Sequence, residues 1–295
     1  MSRILICDKV DQKSLDSLSK SVSFVYQPEI TPENLLKSIP EYDGLIVRSR
    51  TKVTKEVIFA GKNLKVVGRV GSGLDNIDKD AAQERKIQVV NAPDGNTNAV
   101  AELTLGLVLS LLRNLSRAYL SMSQGLWLKK ELGGSELSGK TVGIVGYGHI
   151  GKRISKLLKT FGAEVYYYSR SEKNISLKDL FKKSDIVSLH LPLTPQTISL
   201  VDKKLLSLMK PTSFLINTGR GKVVVEKDLF DVLSRKKIAG AALDVYWAEP
   251  LDPNSPWRKL DNVILTPHLG ASTKEALARA TKTVIDKAVK ILNKK

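Results

Sequence analysis

The sequence predicts an α/β fold of two doubly wound domains, each built on a parallel sheet. Three observations lead to this prediction. Short apolar runs alternate with helical segments along the 295 residues, as they do in βαβ units. The runs fall into a series of five and a series of six, and six is the strand count of a complete dinucleotide-binding sheet. A glycine-rich turn follows the first run of the second series.

The predicted strands are short runs rich in β-branched and aromatic residues. They cover 4–8, 22–26, 44–48, 65–70 and 87–91 in the first series, and 141–145, 164–168, 186–190, 213–217, 240–245 and 262–266 in the second. Between the series, residues 96–115 are apolar around most of a helix, which predicts a long helix buried between the domains or at a subunit contact. Residues 273–295 have apolar side chains at helical spacing and could return to pack on the first domain.

The composition, 42% hydrophobic, is that of an ordinary globular protein long enough for two cores. Cys7 is the only cysteine, so no intrachain disulfide can form and a reducing compartment is expected. No signal peptide precedes Asp8, and the longest apolar stretch, 99–112, contains Glu102 and is too short to cross a bilayer. We therefore expect a soluble, cytoplasmic protein that does not bind membranes.

The formal net charge is +17. The basic residues are dispersed in short groups such as Lys182-Lys183, 235–237 and Lys294-Lys295, and none is interleaved with aromatic residues. There is no helix-turn-helix, zinc or RNA-binding signature. The charge therefore favours solvated helix faces and a field that attracts phosphate-bearing small molecules, rather than a nucleic-acid partner. No metal site is predicted.

The glycine turn has the G-x-G-x-x-G spacing, with Gly146, Gly148 and Gly151. It directly follows a predicted strand and opens a helix with apolar residues at helical intervals, which is the context that the dinucleotide fingerprint requires. The first glycine allows the tight turn, the second lets the backbone approach a pyrophosphate, and the third lets helix and strand pack closely. A dinucleotide site is therefore favoured over a plain strand–turn–helix.

A second glycine cluster, Gly71-Ser72-Gly73, also follows a predicted strand, but it has no third glycine at the right spacing. It is either a tight βα turn or a row of backbone amides that binds a carboxylate. The sequence leaves both interpretations open.

Three chemically reactive side chains follow the last three predicted strands of the second series: Arg220, Glu249 and His268. Ligands of open α/β sheets bind beyond the carboxyl ends of the strands, so these residues are expected to share one edge with the glycine turn. Arginine can grip a carboxylate in bidentate fashion, and histidine can exchange a hydroxyl proton at neutral pH. A glutamate on the far ring nitrogen would orient the imidazole. Each residue alone could be structural, but together they favour hydride transfer to a 2-keto acid.

The end of the predicted strand at 164–168 reads YYYSRSEKN, where many NAD sites have an Asp or Glu. Ser169 can donate a hydrogen bond, and Arg170, with Lys173 near, can neutralise a ribose 2′-phosphate. We therefore expect NADP(H), or use of both cofactors. The alternative is that Arg170 stacks on adenine or points to solvent and that NAD is used.

Several long motifs resemble, in order and spacing, the signatures of the D-isomer-specific 2-hydroxyacid dehydrogenases: LSGKTVGIVGYGHIGKRI, NTGRG, AALDVYWAEP and TPHLGASTKEA. In the first series, three motifs are most similar to those of the D-3-phosphoglycerate dehydrogenases within that family: YDGLIVRSRTKVT, VVGRVGSGLDNID and NAPDGNTNAVAELTLGL. The chain ends after the last predicted helix, so the resemblance is to a short form without a C-terminal regulatory domain, and serine feedback through such a domain is not expected.

The resemblance implies a Rossmann cofactor domain at 96–271, a flavodoxin-like substrate domain at 1–95 plus 272–295, and a homodimer formed through the cofactor domains. It assigns catalysis to Arg220, Glu249 and His268. It implies that Arg48, Ser49, Gly71 and Ser72 bind the substrate together with Arg220 and His268. It implies that the cofactor is NAD or NADP. The residues implied to bind it are Gly146, Gly148, His149, Ile150, Gly151, Ser169, Arg170, His190, Thr218, Asp244 and Gly270.

The implied reaction is hydride transfer from C2 of 3-phosphoglycerate to NAD(P)⁺ while His268 accepts the hydroxyl proton. The product would be 3-phosphohydroxypyruvate, as in serine biosynthesis. Two alternatives remain open. One is an NADPH-dependent glyoxylate or hydroxypyruvate reductase of the same family, which the YYSR stretch favours. The other, more remote, is a non-enzymatic corepressor-like protein that senses nucleotides.

Overall fold

The structure is a computed structural model that describes residues 1–16 and 21–293; the basic pair Lys294-Lys295 lies outside these ranges. The chain divides into two compact units. The first unit comprises Met1–Thr97 and Ala271–Lys295, and the second comprises Asn98–Gly270.

The strands and helices alternate along most of the described chain. The strands are β1 Ser2–Ile6, β2 Val22–Tyr26, β3 Gly44–Val47, β4 Val66–Arg69, β5 Gln88–Asn91, β6 Thr141–Val145, β7 Glu164–Tyr168, β8 Ile186–Leu189, β9 Phe214–Asn217, β10 Gly240–Leu243 and β11 Val263–Leu265. The α-helices are α1 Gln12–Asp16, α2 Pro32–Ser38, α3 Lys55–Ala60, α4 Lys79–Glu84, α5 Thr97–Leu112, α6 Leu115–Ser123, α7 His149–Thr160, α8 Leu177–Lys183, α9 Lys203–Leu206, α10 Glu226–Ser234 and α11 Lys274–Leu292.

Each unit contains one sheet whose neighbouring strands are all parallel. The first has the order β2-β1-β3-β4-β5, and the second has the order β11-β10-β9-β8-β6-β7. In the second sheet the chain moves from β6 to β7 on one side and then returns to β8 on the other. The point where the strand order reverses therefore lies between β6 and β8. Every predicted strand is present, which confirms the doubly wound α/β fold.

Some predicted strand boundaries differ from the observed ones. The first strand was expected at 4–8, but β1 begins and ends two residues earlier. Asp8, at the end of the predicted strand, is buried, and its carboxylate accepts hydrogen bonds from the turn after β3. The Asp8 side chain is thus bonded to the turn after β3, two residues beyond the end of β1.

The cores lie on both faces of each sheet because alternate strand residues point to opposite sides. In β1, Leu5 faces one apolar cluster while Ile4 and Ile6 face the other. In β6, Val145 and Ile144 divide between two clusters in the same way. Strands that are buried on both faces read as continuous apolar runs, and for that reason the sequence could locate them.

Helix α11 packs on the first sheet. Its buried residues Ala280, Val284 and Ile285 share a cluster with Ile4 and Ile6 of β1. Thr273 caps the helix by accepting a hydrogen bond from the Ala276 amide. The last helix of the chain thus belongs to the unit that contains the first residues.

The single helix predicted at 96–115 is wrong in its length. Helix α5 stops at Leu112, and α6 then starts in a direction that differs by 67°. Asn114, at φ 52°, is in the left-handed region, and its side-chain amide donates to the Gly133 carbonyl over 3.1 Å. A residue with positive φ ends a helix, and Asn tolerates that conformation better than most residues do. Among the described residues, no single helix is long and apolar enough to cross a membrane, although α5 and α6 together pass that test by length and composition.

Candidate active site

The candidate site of the second unit lies at the carboxyl ends of its six parallel strands. The strand ends are level, since Val145 pairs with both Tyr168 and Leu189, and Leu243 pairs with both Asn217 and Leu265. The residues that follow these strands therefore emerge at one edge of the sheet. The predicted ones are Gly146 after β6, Ser169 after β7, His190 after β8, Arg220 after β9, Asp244 and Glu249 after β10, and His268 after β11.

The glycine turn fits a dinucleotide phosphate group. Gly146 has φ 98°, and a side chain there would collide with the His190 carbonyl. A side chain at Gly151 would collide with the Gly146 carbonyl. At Gly148, by contrast, a Cβ would have no protein atom within 4 Å. Packing within the chain therefore explains Gly146 and Gly151. Gly148 instead leaves open space at the start of α7, where helix amides attract phosphate. His149 and Ile150 are the first two residues of that helix.

His268 and Glu249 are joined by a hydrogen bond, with 2.7 Å between His268 Nδ1 and Glu249 Oε2. The other carboxylate oxygen, Oε1, accepts from the Tyr246 amide at 3.0 Å, so both oxygens are held. Burial raises the pKa of Glu249, but the hydrogen bonds from His268 and Tyr246 and the charge of Arg220 outweigh it and leave the pKa below its usual value. Glu249 is thus an ionised partner for the imidazole at neutral pH.

The loop that carries His268 is fastened by Asp244. This buried carboxylate accepts hydrogen bonds from the Thr266 hydroxyl at 2.6 Å, the Leu269 amide at 2.7 Å and the Gly270 amide at 2.9 Å. His268 itself has φ 53°, a left-handed conformation that costs free energy in a residue other than glycine. Asp244 and Gly270, both assigned to the cofactor from sequence, thus bond to each other and hold the His268 loop.

Tyr246 is a residue that sequence reasoning missed. Its hydroxyl lies 3.1 Å from the Leu243 carbonyl and 2.9 Å from the Thr266 carbonyl, so it ties the end of β10 to the end of β11. Burial, followed by the charge of Asp244, raises the pKa of Tyr246 to about 12, so the hydroxyl remains a donor. Nothing in the local sequence pattern could identify this residue, because its partners come from two separate strand ends.

Arg220 lies in a turn that is shaped by Asn217. The side-chain oxygen of Asn217 accepts from the Gly219 amide at 3.1 Å, and its nitrogen donates to the Arg220 carbonyl at 3.0 Å. The Arg220 guanidinium donates to the Gly219 carbonyl at 2.8 Å. A side chain at Gly221 would collide with the Tyr246 backbone, so glycine there lets the Arg220 turn approach the segment that carries Glu249.

His190 and Thr218 lie side by side after β8 and β9. The His190 ring contacts the Ser188 hydroxyl at 2.9 Å through Nε2 and the Thr218 hydroxyl at 3.4 Å through Nδ1. Thr218 in turn contacts the Thr104 hydroxyl at 3.0 Å. Desolvation lowers the pKa of His190 to about 4, so the ring is neutral at physiological pH. His190 is thus a neutral hydrogen-bonding group.

Ser169 forms a tight turn after β7. Its hydroxyl donates to the Glu172 carbonyl at 2.8 Å and accepts from the Glu172 amide at 2.9 Å. The donor that the sequence offered to a 2′-phosphate is therefore directed at the backbone. Arg170 is exposed, and within the described parts of the chain its side chain forms no hydrogen bond or ion pair.

In the first unit, Arg48 and Ser49 lie in a turn after β3 that buried Asp8 holds. The Asp8 carboxylate accepts from the Arg48 amide and from the Thr51 hydroxyl. Asn76 donates to the Arg48 and Thr51 carbonyls from the other side. Asp8 and Asn76 were not predicted as site residues, because their role depends on a turn that is remote from them in sequence.

The turn at Gly71 and Ser72 follows β4. The Gly71 carbonyl accepts from the Ala92 amide and the Ser72 carbonyl accepts from Asn91, whereas no acceptor for the Gly71, Ser72 or Gly73 amide is found among residues 1–16 and 21–293. Gly71 has φ 144°, and a side chain there would collide with the guanidinium of Arg69. An arginine beside open amides suits an anion. No group of three or more His, Cys, Asp or Glu residues in the described ranges could hold a metal ion.

Comparison with known proteins gives a consistent result. Residues 105–270 match the family described as D-isomer specific 2-hydroxyacid dehydrogenase, NAD binding domain. The chain is 41% identical to a D-3-phosphoglycerate dehydrogenase of Methanocaldococcus jannaschii, over 99% of this chain and 58% of that protein. It is 39% identical to a hydroxypyruvate reductase of Thermotoga maritima, over 98% of each chain.

One solved structure is that of an NADPH-dependent glyoxylate/hydroxypyruvate reductase of Sinorhizobium meliloti in complex with NADP and malonate. It has a TM-score of 0.82 and 30% identity, and the match covers 98% of this chain and 91% of that one. The chain spans about half the length of the curated D-3-phosphoglycerate dehydrogenases that it matches.

Proposed function

Because this chain belongs to the D-isomer specific 2-hydroxyacid dehydrogenase family, we propose that it transfers a hydride between a nicotinamide cofactor and a D-2-hydroxy acid. The observation that carries the proposal is the hydrogen bond between His268 and Glu249, at the same sheet edge as Arg220 and the glycine turn. An acid–base pair, an arginine and a phosphate cradle on one edge are the groups that this reaction needs.

His268 carries the proton in this mechanism. Its Nδ1 is held by Glu249, and among the described residues Nε2 has no hydrogen-bond partner, so Nε2 is the nitrogen that exchanges a proton with the substrate hydroxyl. Ionised Glu249 stabilises the imidazolium that forms when the hydroxyl is oxidised. Arg220 binds the substrate carboxylate and polarises the adjacent carbonyl.

The cofactor is held by the glycine turn and by the residues that follow β7, β8 and β9. A bound nicotinamide cofactor supplies or accepts the hydride. Gly148 and the first amides of α7 hold its phosphates, and the turn after β7, with Ser169 and Arg170, lies at the adenosine ribose. His190 and Thr218 line the site as neutral groups. Arg170 and Lys173 favour NADP(H) mildly over NAD(H), since both are cations at the ribose end.

The preferred substrate is 3-phosphoglycerate, oxidised to 3-phosphohydroxypyruvate as in serine biosynthesis. The first unit, Met1–Thr97 with Ala271–Lys295, binds substrate in this proposal, through Arg48, Ser49, Gly71 and Ser72. The preformed Arg48 turn and the open amides after β4 support binding of a carboxylate or phosphate, and the net charge of +17 would attract such a substrate. The buried thiol of Cys7 suits the reducing cytoplasm in which we place the enzyme.

A second candidate is a hydroxypyruvate or glyoxylate reductase. One observation favours it: the Thermotoga maritima protein named hydroxypyruvate reductase matches this chain over 98% of both lengths. The same three catalytic residues would serve in the direction of reduction, with His268 donating the proton. The two candidates differ at C3 of the substrate: it carries a phosphate ester in 3-phosphohydroxypyruvate and a hydroxyl in hydroxypyruvate, and glyoxylate has no C3.

We further propose that the protein acts as a homodimer. The segment 115–127, which we call the α6 segment, exposes several large apolar side chains: Leu115, Tyr119, Leu120, Met122, Leu126 and Trp127. Tyr119 is 78% exposed and Trp127 is 76% exposed. Several exposed apolar side chains in one short segment indicate a protein partner, and a second copy of the chain is the partner that the family resemblance implies.

The function is tested with purified protein in a two-by-two assay of NADH and NADPH against 3-phosphohydroxypyruvate and glyoxylate. We expect the highest kcat/KM with 3-phosphohydroxypyruvate. A higher value with glyoxylate would reverse the substrate assignment, and turnover that is unchanged in His268→Ala would show that another protein in the preparation is responsible.

A further inference from the structure

The turn after β7 contains a carboxylate that the strand-end position lacks. Glu172 lies three residues beyond Ser169, and the Ser169 hydroxyl and amide hold its backbone. The chain then returns along β7, since the Asn174 side chain accepts from the Tyr167 amide at 2.8 Å. Glu172 is thereby fixed beside the ribose end of the proposed cofactor site, although it is not at the position where the fingerprint places an acid.

Glu172 forms an ion pair with Lys152, which lies in the first turn of α7. The Lys152 amide bonds to the Gly148 carbonyl, so this lysine is one helical turn from the phosphate cradle. The hydrogen bond to Glu172 raises the pKa of Lys152. The pair therefore connects the two elements that would hold the adenosine, the glycine-turn helix and the end of β7.

The ion pair has little value for the fold. Both side chains are about half exposed, at 53% and 44%, and exposed pairs of this kind add little to stability. Their position beside the proposed ribose site suggests that the pair affects cofactor binding instead. A ribose 2′-phosphate brings a charge of about −1.5 to −2 to this place and would compete with Glu172 for Lys152.

We propose that Glu172 is the residue that limits NADPH preference, because it occupies the cation, Lys152, that would otherwise bind the 2′-phosphate. This inference rests on the proposed dinucleotide site. It predicts that the preference for NADP(H) is mild, even though Arg170 and Lys173 lie in the turn after β7 and Lys152 lies in the first turn of α7. Glu172 neutralises one of these three positive charges.

The test measures cofactor binding directly, by titration calorimetry of NADPH and NADH with the purified protein. Glu172→Gln keeps the backbone turn and removes the charge, and we expect it to tighten NADPH binding about three- to tenfold while NADH changes less than about twofold. Lys152→Met, which keeps the aliphatic stem, should weaken NADPH binding and abolish the gain from Glu172→Gln in the double variant.

The matched control is Asp261→Asn. Asp261 pairs with Lys236 on the surface of the same unit and precedes β11, so it lies at the opposite edge of the sheet from the cofactor turn. It changes the net charge by the same amount as Glu172→Gln and should leave both affinities unchanged.

Several outcomes would overturn the proposal. An unchanged NADPH to NADH affinity ratio in Glu172→Gln would do so, as would an equal gain in Asp261→Asn or an undiminished gain in the Lys152→Met background. If the wild-type protein bound neither cofactor, the proposed dinucleotide site itself would be wrong, and the two failures are therefore distinguishable.

Discussion

At the scale of single residues, the proposed chemistry depends on how Glu249 is held. One of its oxygens accepts from the Tyr246 amide and the other from His268 Nδ1. The carboxylate cannot rotate without breaking a bond, so the imidazole has one orientation. His268 and His190 then differ for a physical reason: the first has an ionised partner, and the second has only hydroxyl partners and is desolvated.

His268→Ala should lower kcat by about 10²–10⁴-fold, the usual contribution of a general acid or base. Cofactor affinity should stay within about twofold, because the imidazole is proposed to act on the substrate and not on the nucleotide. Steady-state kinetics and cofactor titration measure the two quantities. A loss in kcat of less than about tenfold would remove His268 from this role.

His190 should make stability depend on pH. Its pKa in the folded protein is about 4, below the ordinary value of 6.5, so the unfolded chain binds more protons between these values. The free energy of unfolding should therefore be unaffected by this group above pH 6.5 and fall as the pH drops from 6.5 to 4. Urea unfolding at pH 7 and pH 4.5 should show a smaller pH effect in His190→Gln than in wild type. Equal pH effects in both proteins would contradict the prediction.

At the scale of elements, the loops after β10 and β11 act as one structure. Asp244, directly after β10, accepts from the Thr266 hydroxyl before His268 and from the Leu269 and Gly270 amides after it. The Tyr246 hydroxyl donates to the Thr266 carbonyl. The left-handed conformation of His268 depends on these bonds, since an isolated loop would relax from it. The hydrogen bonds from the end of β10 thus stabilise the strained backbone conformation of His268, a proposed catalytic residue.

Asp244→Asn should impair the site through this loop. An amide nitrogen cannot accept the bonds that a carboxylate oxygen accepts, so at least one buried donor loses its partner, at a cost of about 1–3 kcal/mol. We expect kcat and the free energy of unfolding to fall together. Thr266→Val, which removes one of the three bonds, is the graded control and should have the smaller effect in both measurements. A larger effect of Thr266→Val would contradict this account.

At the scale of the whole molecule, the distribution of charged and apolar side chains on the surface indicates which partners the protein meets. The net charge of +17 is spread over the chain, whereas exposed large apolar side chains concentrate in the α6 segment of the second unit. Dispersed cations favour encounter with anionic substrates, and a concentrated apolar patch favours a protein partner.

Replacing Tyr119 and Trp127 together by Lys should convert the proposed dimer to a monomer, since two charges would be buried in an apolar contact. Light scattering after size-exclusion chromatography measures the mass. Phe161→Lys is the control, because Phe161 is also exposed, at 46%, but lies outside the α6 segment. A wild-type monomer, or a dimer that survives the double replacement, would contradict the proposed interface.

Much of the fold was determined by local pattern. Strands buried on both faces give continuous apolar runs, so every strand could be predicted, and the glycine spacing after β6 marked the phosphate cradle without reference to distant residues. The same reasoning placed Arg220, Glu249 and His268 at one edge, because the carboxyl ends of parallel strands must coincide. The break between α5 and α6 could not be predicted this way, since it depends on Asn114 in a left-handed conformation bonded to Gly133.

The residues that only the tertiary structure could reveal are those whose partners are remote in sequence. Asp8 supports the turn at Arg48, Tyr246 joins two strand ends, and Glu172 reaches a lysine in the preceding helix. A side chain's type shows what it can bond, but a buried or charged group takes the partner that folding brings within reach. For this protein, the sequence by itself determined the two sheets, the glycine turn and which reactive side chains follow the strand ends. The tertiary structure decided which groups hold that edge in place and that the charge of Lys152 is paired with Glu172.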